Sequence, residues 1–409
     1  MSAPTVGAFS RKRSFDPGTD RHERRGRFLL RLDMPEMLSG ASGRAGNARP
    51  GSLEPIRCER SGRTAPSMTA VDASSGNPAG WPAEVLDILH RAVTAEFATL
   101  TRAGTPITTP TTPYVGDSGL SLDISTGLTY PAKAERARRN PKVCLLYADE
   151  VGSGLERPPV VMVQGLATVR DADLQANTDR YVACSTAKLP EATRGSPRFM
   201  LRRMAWYYAR IWIEVTPTRI TWWSDRYLSS PPLQWSAPPG TEAPASDPAP
   251  SGRQPAPWVA PPTSWEAQGA DAFTRMGSHD LTFVQDDGYP ACLPVEVTRM
   301  DIAGFAIRIG PGAPMPADGP ACLTFHTHPE KFTSQENRTF VGVLEGTAGP
   351  GGNLERFFRV ERALADWSLA GTRTNVALGF LAKGRTLRPR LIAESARRGQ
   401  PVPKVRFRH

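Results

Sequence analysis

The sequence predicts a mainly β protein, a β-barrel with accessory helices, built as two barrel-like units in one chain. Short strand patterns with turn residues are many, and long helical patterns are few. Similar strand patterns also recur, in the same order, on both sides of a proline-rich segment. That segment holds 11 prolines in the 32 residues from Pro231 to Pro262, which is typical of a stiff linker between domains.

Five segments follow from these boundaries. They are a disordered basic segment (1–75), a first barrel (76–228), a Pro-rich linker (229–263), a second and degenerate barrel (264–371) and a basic C-terminal tail (372–409). The first segment is predicted to be disordered because Arg, Gly, Ser and Pro dominate it and its apolar residues are too few for a core. More ordinary sequence follows Met68, which suggests the hypothesis that the native product begins there.

In the first barrel, an amphipathic helix is predicted over 82–93, because apolar residues recur at helical spacing behind Pro82. A second helix is predicted from Ala132 to Asn140, where Pro141 ends it. Residues 171–208 are predicted to be mainly helical. Alternation of apolar and polar residues predicts strands over 97–101, 107–112, 120–125, 143–147, 160–169, 210–215 and 219–223.

The second unit repeats this strand pattern. Residues 281–284 and 293–297 match the first hairpin, 321–325 matches 143–147, and 339–348 matches 161–168, including a glycine. No counterpart of the helix at 132–140 is present, because 307–310 leads through a Pro-Gly stretch directly to Cys322. An alternative is that any two antiparallel units look alike at this level of comparison.

The net charge of +10 is concentrated at the two ends of the chain. Residues 1–66 carry +6 and residues 372–409 carry +9, so the residues between them are mildly acidic. We therefore expect solvated basic tails, no basic groove on a folded domain and no specific nucleic-acid partner. No apolar run is long enough to span a membrane and no signal sequence is visible, which favours a cytoplasmic protein without a membrane partner.

Cysteine and histidine spacing gives no metal signature. The five cysteines are scattered and never at C-x-x-C spacing, which argues against a disulfide framework or a zinc ribbon and favours free buried thiols. His326 and His328 are two positions apart on a predicted strand, but no further ligands at metal spacing accompany them. We therefore predict surface or strand-end histidines and no metal site.

A group of motifs lies between residues 104 and 145. A Gly-x-Pro hairpin leads into a strand that contains Pro110, and the next strand ends in Ser125-Thr126. A basic residue, Lys133, follows near the start of the helix that closes in Arg-Asn-Pro-x-Val. Here, over about residues 85–223, the chain resembles the flavin-binding split β-barrel family related to pyridoxamine 5'-phosphate oxidase. The ensemble of motifs carries the resemblance, since no single motif is diagnostic.

The resemblance implies a bound FMN, with strand residues around Pro110 at the flavin and Lys133 at its phosphate. A phosphate requires a cation and several donors, and residues at the junction of a strand end and a helix start can converge on one anion. The predicted cofactor-binding residues are Thr109, Pro110, Thr111, Ser125, Thr126 and Lys133. The alternative is that they are ordinary exposed residues and strand formers.

The function expected from this resemblance is that of an FMN-dependent oxidoreductase of unknown substrate, in which the cofactor carries out the hydride chemistry. No catalytic residue can be named. The substrate-binding Arg and His residues of the oxidases have no counterparts, so oxidation of vitamin B6 is unsupported. The alternatives are a deazaflavin (F420) at the same site, a non-catalytic flavin-binding protein and a haem-binding protein.

The resemblance also has a consequence for assembly. In the family, the flavin lies between the two barrels of a dimer. We therefore expect a homodimer or an internal pseudo-dimer, in which the second unit forms the partner wall of a single retained site.

Overall fold

The structure is a computed structural model in which residues 77–194, 197–255, 260–346, 355–365, 368 and 373–407 are described. All of them belong to one compact unit. The disorder predicted for residues 1–75 and the hypothetical start at Met68 lie outside the described residues.

The first barrel contains the first eight strands and six helices. Its strands are β1 Ala95–Leu100, β2 Pro106–Thr111, β3 Tyr114–Val115, β4 Leu122–Gly127, β5 Lys142–Tyr147, β6 Val160–Arg170, β7 Arg210–Trp223 and β8 Leu233–Ser236. Its helices are α1 Ala83–Arg91, α2 Ala132–Arg139, α3 Leu174–Lys188, α4 Pro190–Thr193, α5 Arg198–Arg202 and α6 Ala205–Tyr208.

The second barrel follows with seven strands and is flanked by two helices. Its strands are β9 Ser278–Val284, β10 Pro290–Pro294, β11 Glu296–Met300, β12 Gly304–Arg308, β13 Gly319–Thr327, β14 Glu336–Gly346 and β15 Glu355–Ala363. The helices are α7 Glu266–Arg275 before it and α8 Arg373–Arg397 after it.

The two curled antiparallel sheets have the same strand order. The first is β2-β1-β5-β6-β7-β4-β3, with β8 added to β7, and the second is β10-β9-β13-β14-β15-β12-β11. Each position of the first sheet therefore has its counterpart in the second, with β9 in place of β1. The predicted fold class, two barrel-like units in one mainly β chain, is confirmed.

The glycine shared by both halves lies at the same structural point in each sheet. Gly165 on β6 follows a register shift against β7, and Gly342 on β14 follows a register shift against β15. A Cβ atom would lie 2.4 Å from the backbone oxygen of Thr216 at the first position and 2.0 Å from that of Arg359 at the second. Only glycine allows the strands to approach so closely at these bulges.

Several strands differ from the sequence-based prediction, among them the short β3 and β8, which were not predicted. β7 is one continuous strand rather than two, because Pro217 lies opposite Gly165 at the register shift, where a missing N–H costs little. Residues 293–297 are divided between β10 and β11. β15 was not predicted, since charged residues occupy most of its exposed positions and obscure the buried Phe358 and Val360.

The two barrels pack face to face through an apolar layer. Leu146 and Met162 of the first barrel belong to the same buried cluster as Leu281 and Leu293 of the second. Polar contacts cross the layer as well, and the hydroxyl groups of Thr108 and Thr282 are 2.6 Å apart. Burying apolar surface from both sheets in one core stabilises their association.

The C-terminal segment is a packed helix, so its interpretation as a solvated basic tail is wrong. Leu387 and Leu391 on α8 are buried in the core of the first barrel. Arg398, just after α8, donates to Asp171 Oδ2 over 2.8 Å and to Glu394 Oε2 over 2.7 Å, and its side chain is 2% exposed. The high content of basic residues led to the prediction of a tail, although the segment also contains buried leucines and buried ion pairs.

Part of the proline-rich segment is bound to the first barrel and is not a free linker. β8 pairs with β7. Further along, Asp247 N donates to Val169 O over 2.9 Å, and Thr168 Oγ1 donates to Pro244 O over 2.6 Å. These hydrogen bonds hold the chain against the end of β6.

Two smaller points concern the thiols and the helices. Cys144, Cys292 and Cys322 are buried free thiols, as expected, whereas Cys184 is disulfide-bonded, which was not expected. No helix within the described ranges has both the length and the apolar character needed to cross a membrane.

Candidate functional site

A large cavity lies beside the end of the first sheet. Its volume is about 1660 Å³. Its walls come from β2, β4, α2 and the start of β7, from the helical segment between β6 and β7, from α8, and from residues 332–339 of the second barrel. The cavity therefore lies where elements far apart in the sequence meet.

All six predicted cofactor-binding residues line this cavity. They are Thr109, Pro110 and Thr111 on β2, Ser125 and Thr126 on β4, and Lys133 on α2. The structure therefore brings together the residues that the sequence grouped by motif.

A short turn positions Ser125, Thr126 and Lys133, the residues predicted to bind the phosphate. β4 ends at Gly127, and Tyr130 N donates to Gly127 O over 3.0 Å to close the turn. α2 begins at Ala132, and Glu135 N donates to the Pro131 carbonyl over 3.0 Å. Because the turn is tight, the end of β4 and the first turn of α2 face the same space. The positive end of the helix dipole also points toward that space.

Lys133 lies in a cationic environment. Burial, together with the nearby Arg136 and Arg210, lowers the pKa of Lys133 to about 7, against the opposing effect of Glu96. The like charges would be relieved by an anion between them. Arg136 is one turn further along α2, and its Nε donates to Thr99 Oγ1 over 2.8 Å.

Arg210 was not predicted from the sequence, yet it is central to the cavity wall. It is the first residue of β7 and pairs with Gly127, which places it beside the turn. Its guanidinium lies 4.0 Å from the ring centre of Tyr181 and donates to the Tyr181 hydroxyl over 2.8 Å. These contacts hold the charge in a fixed orientation. A sequence signal was present, since Arg210 directly precedes the apolar run Ile211-Trp212-Ile213.

The lining of the cavity is strongly basic. It contains seven basic residues and one acidic residue, Glu191. The basic residues are Lys133, Arg136, Arg203, Arg210, Lys383, Arg385 and Arg388. The expectation of no basic groove is therefore wrong, because net charge per segment does not show that basic residues of α2, β7 and α8 converge. Such a concentration of positive charge attracts anions.

Several polar atoms of the lining are buried without a hydrogen-bond partner within the described part of the chain. They are Thr109 Oγ1 on β2, Arg210 Nε on β7 and Thr339 Oγ1 on β14. A buried polar atom that lacks a partner is costly, and it is normally satisfied by a ligand or by water. The cavity therefore suits a ligand that carries several hydrogen-bonding groups.

The second barrel contributes one wall of the same cavity. Phe332, Gln335, Asn337 and Thr339 all line it. Residues 309–318 connect β12 to β13 without a helix, so the second barrel has no equivalent of α2 at this point. The absence of that helix agrees with the sequence-based prediction.

The two histidines lie at the end of β13, as predicted, but they are buried, so their interpretation as surface residues is wrong. The His326 ring lies between Glu96 Oε1, at 2.8 Å from Nδ1, and Asp149 Oδ2, at 2.9 Å from Nε2. His328 Nε2 is also 2.9 Å from Asp149 Oδ2. Glu96 and Asp149 belong to the first barrel, so spacing near the histidines could not reveal these partners.

Charge coupling in this histidine cluster is strong. Burial alone would lower the pKa of His326, but the carboxylates of Glu96, Asp149 and Asp280 raise it well above its usual value. Burial and the neighbouring Glu96 raise the pKa of Asp280 to about 8. The cluster lies between the barrels and is separate from the residues predicted to bind the cofactor.

Comparison with known proteins gives matches among solved structures alone. No protein-family profile matches the chain, and no curated protein matches it significantly. General stress protein 26 from Bacillus anthracis str. Sterne matches with 14% identity over 35% of this chain and 92% of its own, at a TM-score of 0.23. An F420 reductase matches with 20% identity over 32% of this chain and 92% of its own, at a TM-score of 0.25.

A third match is a protein related to general stress protein 26 from Clostridium acetobutylicum, described as belonging to the pyridoxinephosphate oxidase family. It shows 13% identity over 37% of this chain and 89% of its own, at a TM-score of 0.26. The family named from the sequence is thus represented among the similar structures. Likeness at this level carries no conclusion about cofactor or substrate.

Proposed function

We propose that the basic cavity binds FMN and that the protein is an FMN-dependent oxidoreductase. One observation carries the proposal: the six residues chosen from the sequence line a single basic cavity. Its lining also contains buried polar atoms that have no hydrogen-bond partner among the described residues. A phosphorylated, hydrogen-bonding ligand would satisfy the charge and the unpartnered atoms together.

The phosphate is assigned to the turn between β4 and α2. Lys133 supplies the cation, and the hydroxyl groups of Ser125 and Thr126 lie on the same wall. Arg136 and Arg210 add positive charge behind Lys133. Binding of a dianion there would keep Lys133 protonated and remove the repulsion among the three cations.

The remaining cavity suits the ribityl chain and the ring. Thr109 Oγ1 offers an unpartnered hydrogen-bonding group beside Pro110, and Trp206, Tyr207 and Phe332 provide aromatic surface. When bound, the flavin supplies hydride transfer, and the protein orients it and limits its access to water. The volume exceeds the roughly 300–1000 Å³ of an ordinary ligand site, which leaves space for a substrate beside the cofactor.

The second barrel takes the part that a second subunit would play in a dimer. Its residues 332–339 line the same cavity as Lys133, and its own α2 equivalent is missing. One cofactor per chain is therefore expected, in an internal pseudo-dimer.

F420 is the second candidate, because its longer acidic side chain would suit the basic residues of α8. Lys383, Arg385 and Arg388 of α8 line the cavity. Haem is disfavoured, since no histidine or cysteine lines the cavity within the described ranges and these are common haem ligands.

Titration of the purified full-length chain tests the proposal. FMN and F420 are added separately, and binding is followed by the change in cofactor fluorescence. Saturable binding of FMN at one per chain, with bleaching by NAD(P)H and turnover, is the expected result. Binding without turnover with any electron donor would favour a non-catalytic carrier, and failure to bind either cofactor would contradict the proposal.

A further inference from the structure

We propose a second site, which binds a divalent transition-metal ion between the two barrels through Asp149, His326 and His328. Asp149 follows β5 of the first barrel, and the two histidines come from the end of β13 in the second barrel. The three residues are buried, and their ligand atoms lie within 4.8 Å of one another. Two imidazoles with one carboxylate form a donor set that zinc and non-haem iron both accept.

The ligand atoms point at one another. Asp149 Oδ2 is 2.9 Å from Nε2 of His326 and 2.9 Å from Nε2 of His328. The two rings are nearly parallel, at an interplanar angle of 8°. A single ion could therefore contact the same nitrogen of both rings and the shared carboxylate oxygen after small shifts.

The hydrogen bonding of His328 accommodates a metal ion as well as an ion pair. Its Nδ1 is 3.1 Å from the Pro329 carbonyl, which can only accept, so Nδ1 carries a proton. In the neutral ring, Nε2 is then unprotonated, and its lone pair faces Oδ2 of Asp149. Nε2 has no hydrogen-bond partner within the described part of the chain, and the side chain is 1% exposed. A cation between Nε2 and the carboxylate would resolve this repulsion.

Asp149 and His326 also make polar contacts through the atoms that face away from the proposed ion, as metal ligands usually do. Val151 N donates to Asp149 Oδ1 over 3.0 Å, which leaves Oδ2 for the histidines. Nδ1 of His326 is 2.8 Å from Glu96 Oε1 and 3.7 Å from Asp280 Oδ2. Glu96 is itself buried, with 2% of its side chain exposed. A proton on Nδ1 would satisfy Glu96 and leave Nε2 of His326 for the metal.

The surroundings indicate a structural role for the ion. The cavity beside Glu96, Asp149 and His326 has a volume of about 10 Å³, which is space for about one water molecule and not for a substrate. Because the ligands come from both barrels, the ion would connect them at one edge of their interface. The three ligands do not line the proposed flavin cavity, although the His328 ring packs against Phe332, which does.

Cobalt binding tests the proposal. Full-length protein is stripped with a chelator, dialysed and titrated with Co²⁺, with metal content measured separately after loading with Zn²⁺. We expect one ion per chain, visible d–d absorption typical of Co²⁺ with nitrogen ligands, and a higher melting temperature with metal. Asp149→Asn and His328→Gln should each weaken binding by about 100-fold, and Glu96→Gln by about tenfold.

The matched control is His90→Gln, which removes a histidine of α1 and should bind as the unmutated chain does. Circular dichroism establishes whether each variant folds. If the variants fail to fold, X-ray absorption of the unmutated Zn²⁺-loaded protein replaces them, and scattering from two imidazoles is expected. The proposal is overturned if the unmutated chain binds no metal, if His328→Gln binds as tightly, or if imidazole scattering is missing; the cluster is then an ion-pair network only.

Discussion

The two barrels share a strand order but differ in the segments that join their strands. In the first barrel, α2 joins β4 to β5, and helices α3 to α6 join β6 to β7. In the second, residues 309–318 take the place of α2, and only 347–354 separate β14 from β15. The large cavity is lined by α2 and by the helical segment of the first barrel.

This comparison separates the framework from the site. The bulge glycines, the face-to-face packing and the strand order recur in both halves, so they belong to the fold. Lys133, Arg136 and the aromatic residues of α6 lie in segments that the second half lacks, so the ligand chemistry depends on those segments. Ligand-binding residues are commonly carried by connections on a rigid scaffold.

The largest effect should come from the shared framework. Replacing Gly342 by alanine would bring a Cβ atom to 2.0 Å from the Arg359 carbonyl, and backbone cannot move as a flexible side chain can. We expect the free energy of unfolding to fall by about 3–4 kcal/mol. Gly165→Ala should act in the same direction in the first barrel, as measured by chemical denaturation.

Gly277→Ala is the matched control, because nothing lies within 4 Å of its added Cβ. It should change stability little. Equal stability of Gly342→Ala and Gly277→Ala would show that the bulge at Gly342 does not require glycine.

The next effect concerns α8, whose buried leucines pack in the core of the first barrel. Leu387 on α8 is buried in the first core, so Leu387→Ala should lower stability by about 3 kcal/mol. The exposed Ile392 of the same helix is the control, and Ile392→Ala should have a small effect. Thermal unfolding of both variants compares them, and equal losses would argue against packing of α8 on the barrel.

Much of the framework could be predicted from the sequence, because strands with one buried face alternate in residue type. The repeat was visible through Gly165 and Gly342, because a Cβ atom at either position would clash with the backbone of the neighbouring strand. α8 was missed because its charge dominates its composition, while its buried leucines are few. The prediction divided β7 at Pro217, which has no N–H to donate. Sequence alone does not show that Pro217 lies opposite a bulge, where the strand can continue without that hydrogen bond.

The candidate site was predictable only where its residues are close in sequence. Residues 104–145 contain Lys133 and both strand ends, so motif spacing located them. Arg210 and the wall at 332–339 join the cavity through tertiary packing, which leaves no local pattern. The histidine cluster was missed for the same reason, because Glu96, Asp149 and Asp280 come from three separate segments.

A pH series sharpens the assignment of Lys133. Its pKa is lowered to about 7 in the free protein by burial, Arg136 and Arg210, against Glu96, and a bound phosphate would raise it. Binding then takes up a proton, so affinity is full below pH 7 and falls as pH rises above it. We expect about tenfold weaker FMN binding per pH unit above 7, until the pKa of the complex is reached. Isothermal titration in two buffers of different ionisation enthalpy measures that proton uptake, and its absence would exclude Lys133 as the anchor.

A smaller effect tests the wall from the second barrel. Thr339→Val removes a buried hydroxyl that has no hydrogen-bond partner within the described ranges, without changing shape much. FMN affinity should fall by about 1 kcal/mol if this hydroxyl contacts the cofactor. Thr298→Val lies outside the cavity lining and should leave affinity unchanged. Equal affinities in fluorescence titrations of the two variants would assign the site to the first barrel alone.

The most direct test of the phosphate assignment is a cycle of two ligands and two proteins. FMN and riboflavin, which lacks the phosphate, are titrated against the unmutated chain and against Lys133→Ala, with the exposed Lys331→Ala as control. We predict that Lys133→Ala weakens FMN binding by about 1.5–3 kcal/mol and leaves riboflavin binding nearly unchanged, as Lys331→Ala does for both ligands. Equal losses for both ligands, or no loss for FMN, would contradict the account.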